Sequence, residues 1–502
     1  MLPLQLSTVL PGFGAVLLLL VILRIRAYRR LAHIPGPVLA RWTDLWLISA
    51  QSSGRCNYIL ADAMKKYGPI VRIGTDWVVV GDPAEVRKIW AVRSQWTRAP
   101  WYRGLRLDPY RDSTFSTQDE AFHEKLRAKL MPGYAGKDVD NLHALIDESV
   151  LDLVHLLETK YVSTDANYRP VELASKIQYF TLDVISNLAF GSKLGYVRDD
   201  ADTYGYIKTT QQTVPFLMTT CLMPTVVAII QSPKLKWLLP DAENMVGIGT
   251  VMKMARDAVD RRFGPKAEIR RDMLGSFVAH GLTQQEAYGE CIAQIVAGSD
   301  TTATAIRSTL LFIMTSPHVY ARFQTEIDQR VAAGQISSPI TDAEAKNFPY
   351  LQAIIREGLR MYPPATGLLP KVSKKDEIVC GARIPAGTNV AWAPWAIMHS
   401  SEVFGQDAEI FRPERWIEAS EDRKKLMDQV VMLDFASGSR WECLGKNVAM
   451  IELNKTYVEL LRRFDFTLID PTNPWSSFNA AFFIQKDYNV RVTPRKLSSK
   501  NT

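Results

Sequence analysis

Charged side chains are absent from the first 23 residues, and positions 15–23 read AVLLLLVIL. As a helix, residues 1–23 would span about 34 Å, enough for a bilayer hydrocarbon core. The apolar run ends on Arg24, Arg26, Arg29 and Arg30, with nothing basic ahead of it. A cleaved signal carries its positive charge first, so this order predicts an N-terminal transmembrane helix with the body on the cytoplasmic side. Residues 1–30 therefore read as a membrane anchor with a basic flank, and 31–40 as a proline-rich hinge around His33-Ile34-Pro35-Gly36-Pro37. Residues 41–502 read as one body, since no repeat and no Pro/Gly/Ser-rich linker divides them.

Within that body the pattern is mostly helical with minor strands. Positions 70–73 and 77–80 are apolar runs flanking Gly74-Thr75-Asp76, which predicts a hairpin. Further strands are expected at 377–380, 388–393 and 488–492. A stretch without charge, 209–233, contains Pro215 and Pro224 and predicts an apolar helix pair facing a membrane or lining a channel, with a second span as the alternative. The strongest helical signal starts at Thr283 and Glu286, a capping box. It runs without proline to Pro317. Positions 284–315 would extend about 48 Å, enough to cross a domain. Its centre reads Ile295-Val296-Ala297-Gly298-Ser299-Asp300-Thr301-Thr302, where a carboxylate amid apolar turns is costly unless satisfied.

Composition removes several classes. The chain has 502 residues, 47% of them hydrophobic and 23% charged, without low-complexity bias. Five scattered cysteines are too few for a disulfide framework and suit a reducing compartment. The net charge is +7, but four of those charges are the arginines after the apolar run. The remaining excess is too small for a nucleic-acid-binding body.

One cysteine stands in a special place. Phe435-Ala436-Ser437-Gly438-Ser439-Arg440-Trp441-Glu442-Cys443 leads into an apolar-periodic segment at 444–464. Cys443 at the first turn of that helix would see unpaired N–H groups that favour a thiolate, suited to nucleophilic attack or metal ligation. A buried structural cysteine is the other reading of the same residue. Upstream, Glu357 and Arg360 are three apart on one helical face, and Arg415 follows in Phe411-Arg412-Pro413-Glu414-Arg415-Trp416.

In this order, the Asp-Thr-Thr helix, Glu-x-x-Arg, the second arginine and the cysteine loop resemble the cytochrome P450 superfamily over essentially the whole chain. The anchor and hinge resemble its microsomal branch. The His-x-x-x-Arg helix and the GKNVAMIELNK stretch are similar to fungal members that tailor secondary metabolites. The resemblance implies the P450 fold: mostly α with minor β, a single catalytic body with a long central helix and small sheets. It implies that Cys443 is the axial ligand of a haem iron, that Glu357, Arg360 and Arg415 form a buried network, and that Asp300 and Thr301 deliver protons. Gly298 is then expected to let the helix widen beside the iron. His123 and Arg127 fall where the family has Trp-x-x-x-Arg, with Arg127 facing a haem propionate.

Two departures from the family pattern stand out. The cysteine loop is one residue longer than F-x-x-G-x-R-x-C, so Gly438 and Arg440 are each displaced by one position. Either the loop bulges and Arg440 still reaches a propionate, or Trp441 packs there and Arg440 faces a partner. Lys371 stands where relatives place an arginine, keeping charge but losing the bidentate fork.

The implied partners are O2, a lipophilic small molecule, membrane lipid and an NADPH-dependent flavoprotein reductase, at the endoplasmic reticulum membrane as a single-pass protein. Arg423, Lys424, Lys425, Arg440 and Lys446 are a basic set suited to steering an acidic reductase. By family position, Val296, Ala297, residues 365–368 and Ala480-Ala481 line the substrate pocket, with 96–106 and 213–230 as its lid. The expected activity is a monooxygenase. A haem-thiolate isomerase or dehydratase that needs no O2, and a non-catalytic haem-binding protein, are the alternatives.

Overall fold

The structure, a computed structural model, describes residues 6–108, 111–232, 234–235 and 248–495. A five-stranded sheet runs Ile70–Arg72, Trp77–Val80, Asn389–Trp392, Lys371–Val372 and Thr97–Arg98. The hairpin signal is correct: Ile70 pairs with Val80 and Arg72 with Val78, antiparallel. Trp77–Val80 is buried throughout, as four consecutive apolar residues require of a strand covered on both faces. The other strands lie close to their expected places, at Glu377–Val379, Asn389–Trp392 and Asn489–Pro494.

The rest is helical. Gln284–Met314 is one continuous α-helix of 31 residues, and the Thr283/Glu286 capping box is present at its start. It packs against Leu173–Phe190, Pro349–Met361 and Lys446–Leu461, so that most of its length is buried. Polar side chains tie the layers together: the Tyr457 hydroxyl donates to the Ala305 carbonyl at 3.0 Å.

Residues 1–5 of the expected anchor lie outside the described residues. Leu6–Arg30 is a 25-residue helix ending on Arg29 and Arg30, with Leu18, Leu19, Val21, Ile22, Leu23 and Ile25 exposed. Among the described residues no single helix is long and apolar enough to cross a membrane. The hinge is docked rather than loose. The Arg72 amide donates to the Pro35 carbonyl at 2.8 Å, and its fully buried side chain donates to the carbonyls of Ala27, Tyr28, Arg41, Gly74 and Thr75, which satisfies open carbonyls at that helix's end. The 209–233 stretch folds as Tyr206–Thr220 and Pro224–Ile230, bent by 110°, with Phe216, Val226 and Ile229 exposed. Pro233 is outside the described residues.

Candidate active site

Lys446–Leu461 is the helix that follows the cysteine loop, with Gly445 as its N-cap. Cys443 thus precedes the first helical residue by three positions instead of lying in the first turn. The Gly445 and Lys446 N–H groups and the Arg127 guanidinium favour its thiolate, but burial pushes the thiol the other way and wins, so its pKa is raised, not lowered. Of the five cysteines, all free, Cys443 alone is exposed. Ala297 interrupts the burial of the long helix, an exposed residue between the buried Ile295 and Ser299.

Beside the loop lies a cluster of cations. Glu120–Tyr134 starts on the Asp119 cap and presents His123 and Arg127 one turn apart. Arg127 donates to the Glu442 carbonyl next to the cysteine. Arg98 and Lys371 are register partners in adjacent strands. Arg98 donates to the carbonyls of Thr114 at 2.5 Å and Thr117 at 3.1 Å, and its Nη2 lies 3.3 Å from His123 Nε2. Arginine has no acceptor, so His123 is neutral and accepts there, leaving Nδ1–H as its donor. Burial first, then Arg98, Arg127, Lys371 and Arg440, push the imidazole down to about 3. Lys371 is 2% exposed. Its Nζ donates to the Tyr102 hydroxyl at 3.1 Å and sits 3.7 Å from the Trp441 ring centre. Burial pushes this ammonium well below its usual range, and the Arg98 charge adds to the effect.

In the longer loop, Trp441 packs beside Lys371. Its indole N–H donates to Glu120 at 2.9 Å. Arg440 turns instead to the chain itself, donating to the carbonyls of Val92 and Ser94, both at 2.7 Å. Gly438, at φ +79°, takes the left-handed turn that this path needs.

On the long helix, Asp300 and Thr301 are adjacent. The Thr301 hydroxyl donates to the Ala297 carbonyl at 2.9 Å. Burial pushes the Asp300 carboxyl up to about 6, against the pull of Arg307 and of Gln178. The helix stays α-helical through Gly298. A β-carbon at Gly298 would come within 2.9 Å of Ile185 on the neighbouring helix. The glycine thus allows the two helices to pack closely at this point.

Glu357, Arg360 and Arg415 do come together. Glu357 accepts from Arg360 Nε at 3.0 Å and Nη2 at 2.8 Å, from Arg415 Nε at 2.9 Å, from the Trp416 indole at 2.8 Å and from the Arg412 amide at 3.0 Å. Burial opposes its ionisation, yet the two arginines hold the carboxyl below its usual range.

A family model of cytochrome P450 matches residues 35–493. The chain belongs to the cytochrome P450 family. Similar proteins include a cytochrome P450 monooxygenase ABA1 of Pyricularia oryzae, 43% identical over 482 residues, covering 94% of each chain. A cytochrome P450 monooxygenase aba1 of Botryotinia fuckeliana is 39% identical over 468 residues, covering 92% of each. In Penicillium brevicompactum, the cytochrome P450 monooxygenase mpaDE' is 30% identical, with 96% of this chain matching 57% of that protein. This P450 is an oxidoreductase.

The family implies a haem, and the donor set of this P450 fits one. A cysteine sulfur stands just before a helix N-terminus, and a cluster of four basic side chains, Arg98, Arg127, Lys371 and Arg440, against the three carboxyl groups of Glu120, Glu290 and Glu442, lies beside it. The Nε atoms of Arg98 and Arg440 in that cluster are buried without a hydrogen-bond partner. A group carrying carboxylates would relieve both the surplus charge and the desolvated Lys371.

Other expectations shift. Segment 96–106 is packed in, with Arg98, Trp101, Tyr102 and Leu105 buried, and its Pro100–Leu105 turn lies against the bent helix pair of the 209–233 stretch. Residues 365–368 and Ala480-Ala481 do meet, the Thr366 amide donating to the Ala481 carbonyl at 2.9 Å. The basic set of the loop side is partly used internally: Lys446 pairs with Glu442 at 3.1 Å, Lys424 with Glu421 at 2.9 Å, and Arg423 donates to the Glu402 carbonyl. Arg98, Glu120, Gln178 and Arg307 were not singled out by the sequence. The one usable signal was Arg98, an arginine inside the apolar WTRAPW run.

Proposed function

We propose that this P450 is a haem-thiolate monooxygenase that inserts one oxygen atom from O2 into a lipophilic small molecule, in secondary-metabolite biosynthesis. Bound haem supplies the capacity to activate O2 with electrons that originate in NADPH and arrive through a flavoprotein reductase. Cys443 would ligate the iron, and its thiolate is favoured by the Gly445 and Lys446 amides and by Arg127. Arg98, Arg127, Lys371 and the His123 Nδ1–H would hold the haem carboxylates, and the first three would supply their counter-charge. Glu357, Arg360 and Arg415 hold the fold around the loop without touching substrate.

Asp300 and Thr301 would carry protons to the reaction. A carboxyl pushed up to about 6 exchanges protons readily near neutrality, and the neighbouring hydroxyl passes one on. This pair favours an O2-using reaction over a peroxide rearrangement, which consumes no protons. Val296 and Ala297 on the same helix would meet the substrate.

The body is proposed to sit on the cytoplasmic face of the endoplasmic reticulum membrane, anchored once through the first helix. Support comes from the exposed apolar side chains of Leu6–Arg30 and its terminal arginines, and from the exposed apolar residues of the bent helix pair.

The observation that carries this reading is Cys443, the one exposed cysteine, beside a buried cationic surplus. Its test is the carbon-monoxide difference spectrum of the reduced haem-loaded protein. Wild type is expected to give the thiolate-shifted band and Cys443→Ser to lose it. Retention of that band in the variant would remove the ligand assignment and the reading with it.

A further inference from the structure

Behind Asp300 lies a short chain of buried polar groups on two helices. The Gln178 amide nitrogen donates to Asp300 Oδ1 at 2.5 Å. The Gln178 amide oxygen accepts from Arg307 Nη2 at 2.7 Å, and Arg307 Nε is anchored on the Ala174 carbonyl at 2.9 Å. Ala174 and Gln178 are one turn apart on Leu173–Phe190, whereas Asp300 and Arg307 are two turns apart on the long helix. Gln178 and Arg307 are both buried.

Arginine only donates, so the Gln178 oxygen must face Arg307. The carboxamide then has one orientation, with its N–H directed at Asp300. Oδ1 is permanently occupied by a donor, which leaves Oδ2 as the oxygen that can take up and release a proton.

We propose that Gln178, held by Arg307, is a positioning residue that confines the proton exchange of Asp300 to Oδ2 and so sets the pH range over which the Asp300–Thr301 pair works. The proposal rests on the reading of Asp300 as a proton carrier. Each proton that leaves Oδ2 is replaced by one from water; Gln178 and Arg307 neither gain nor lose a proton, and no electrons move.

The charges around Asp300 agree with this assignment. Arg307, on its own helix, and Gln178 are the two groups that oppose the upward push of burial. Tyr206, from Tyr206–Thr220, also faces Asp300 and is itself pushed up, so it stays neutral. Glu172 faces Arg307 and helps to keep it charged. A tie that merely joined two helices would leave the pH profile of turnover unmoved when Gln178 is replaced, whereas a positioning residue would shift it.

The experiment uses the haem-loaded holoenzyme. The Asp300 carboxyl is followed by infrared pH-difference spectroscopy, identified as the band that Asp300→Asn removes. Its midpoint is expected to rise by about one pH unit or more, a tenfold gain in proton affinity, in both Gln178→Met and Gln178→Glu. The glutamate variant keeps the size of the side chain and a partner for Arg307, but presents a negative charge to Asp300. In Gln178→Met, the pH profile of NADPH consumption with reconstituted reductase is expected to move in the same direction. Midpoints within about 0.2 units of wild type in folded Gln178 variants would overturn the proposal. The proton-carrier reading fails on a separate result: an unchanged pH profile in Asp300→Asn.

Discussion

Two buried arginine clusters in this P450 are built on opposite principles. Around Glu357, the Nε and both Nη atoms of Arg360 and Arg415 are engaged. Arg360 also donates to the carbonyls of Met398, Ala408 and Ile410. Arg415 donates to those of Phe404, Asp407 and Ile410, and its charge is met a second time by Asp407 at 3.0 Å. Charge and hydrogen bonds both close within the chain. Around Lys371 and Arg98 they do not: Arg98, Arg127, Lys371 and Arg440 face three carboxyl groups, Glu120, Glu290 and Glu442, and the Nε atoms of Arg98 and Arg440 lack partners. Burying unmatched charge is costly, so a fold that retains it is arranged for an anion that arrives from outside. A closed cluster is architecture; an open one is a binding site.

That contrast predicts opposite responses to the loss of a charge. Glu357→Gln leaves two fully buried guanidinium groups without their common carboxylate. The expected loss is about 3–5 kcal/mol, the range for breaking a buried pair by removing one partner. It is read as a lower denaturant midpoint with and without haem. A loss below about 1 kcal/mol would place this cluster among exposed pairs in energetic terms and erase the distinction.

The same contrast explains what was legible in the sequence. Glu357 and Arg360 are three residues apart, so helical geometry alone places them together, and the family motif then adds Arg415. The hairpin at Ile70–Arg72 and Trp77–Val80 and the capped long helix are also local patterns. The open cluster joins distant segments: Arg98 meets Lys371 across strands, and Trp441 meets Glu120 across 321 positions. No spacing rule encodes such contacts. The raised pKa of Cys443 and the packing of Gly298 on Ile185 depend likewise on what surrounds a residue, and the sequence showed only its neighbours along the chain.

For the open cluster, Lys371→Met is the sharpest change, because it keeps the stem of the side chain and removes the desolvated ammonium. The haem-free chain is expected to gain about 1 kcal/mol of stability, having lost a buried polar group with one hydrogen bond. Haem affinity is expected to fall about tenfold, in line with about 1.5 kcal/mol for a hydrogen bond to a charged group. Denaturant unfolding of the haem-free chain and haemin titration measure the two terms separately. A stability loss with unchanged haem affinity would mean that this cluster, too, is architecture.

The smallest effect is expected where the extra loop residue is absorbed. Ala436 and Gly438 both adopt positive φ, +49° and +79°, and no atom lies within 4 Å of a β-carbon placed on Gly438. Gly438→Ala therefore meets backbone strain without a clash, costing about 1 kcal/mol. Haem affinity and the carbon-monoxide difference spectrum are expected to stay at wild-type values, because the turn's Gly438 amide, which donates to Glu442 Oε2 at 3.4 Å, is retained in the alanine variant. If haem affinity fell together with stability, the lengthened turn would have to be counted as part of the open cluster, and Arg440, held there by the carbonyls of Val92 and Ser94, would be the residue through which the strain is passed.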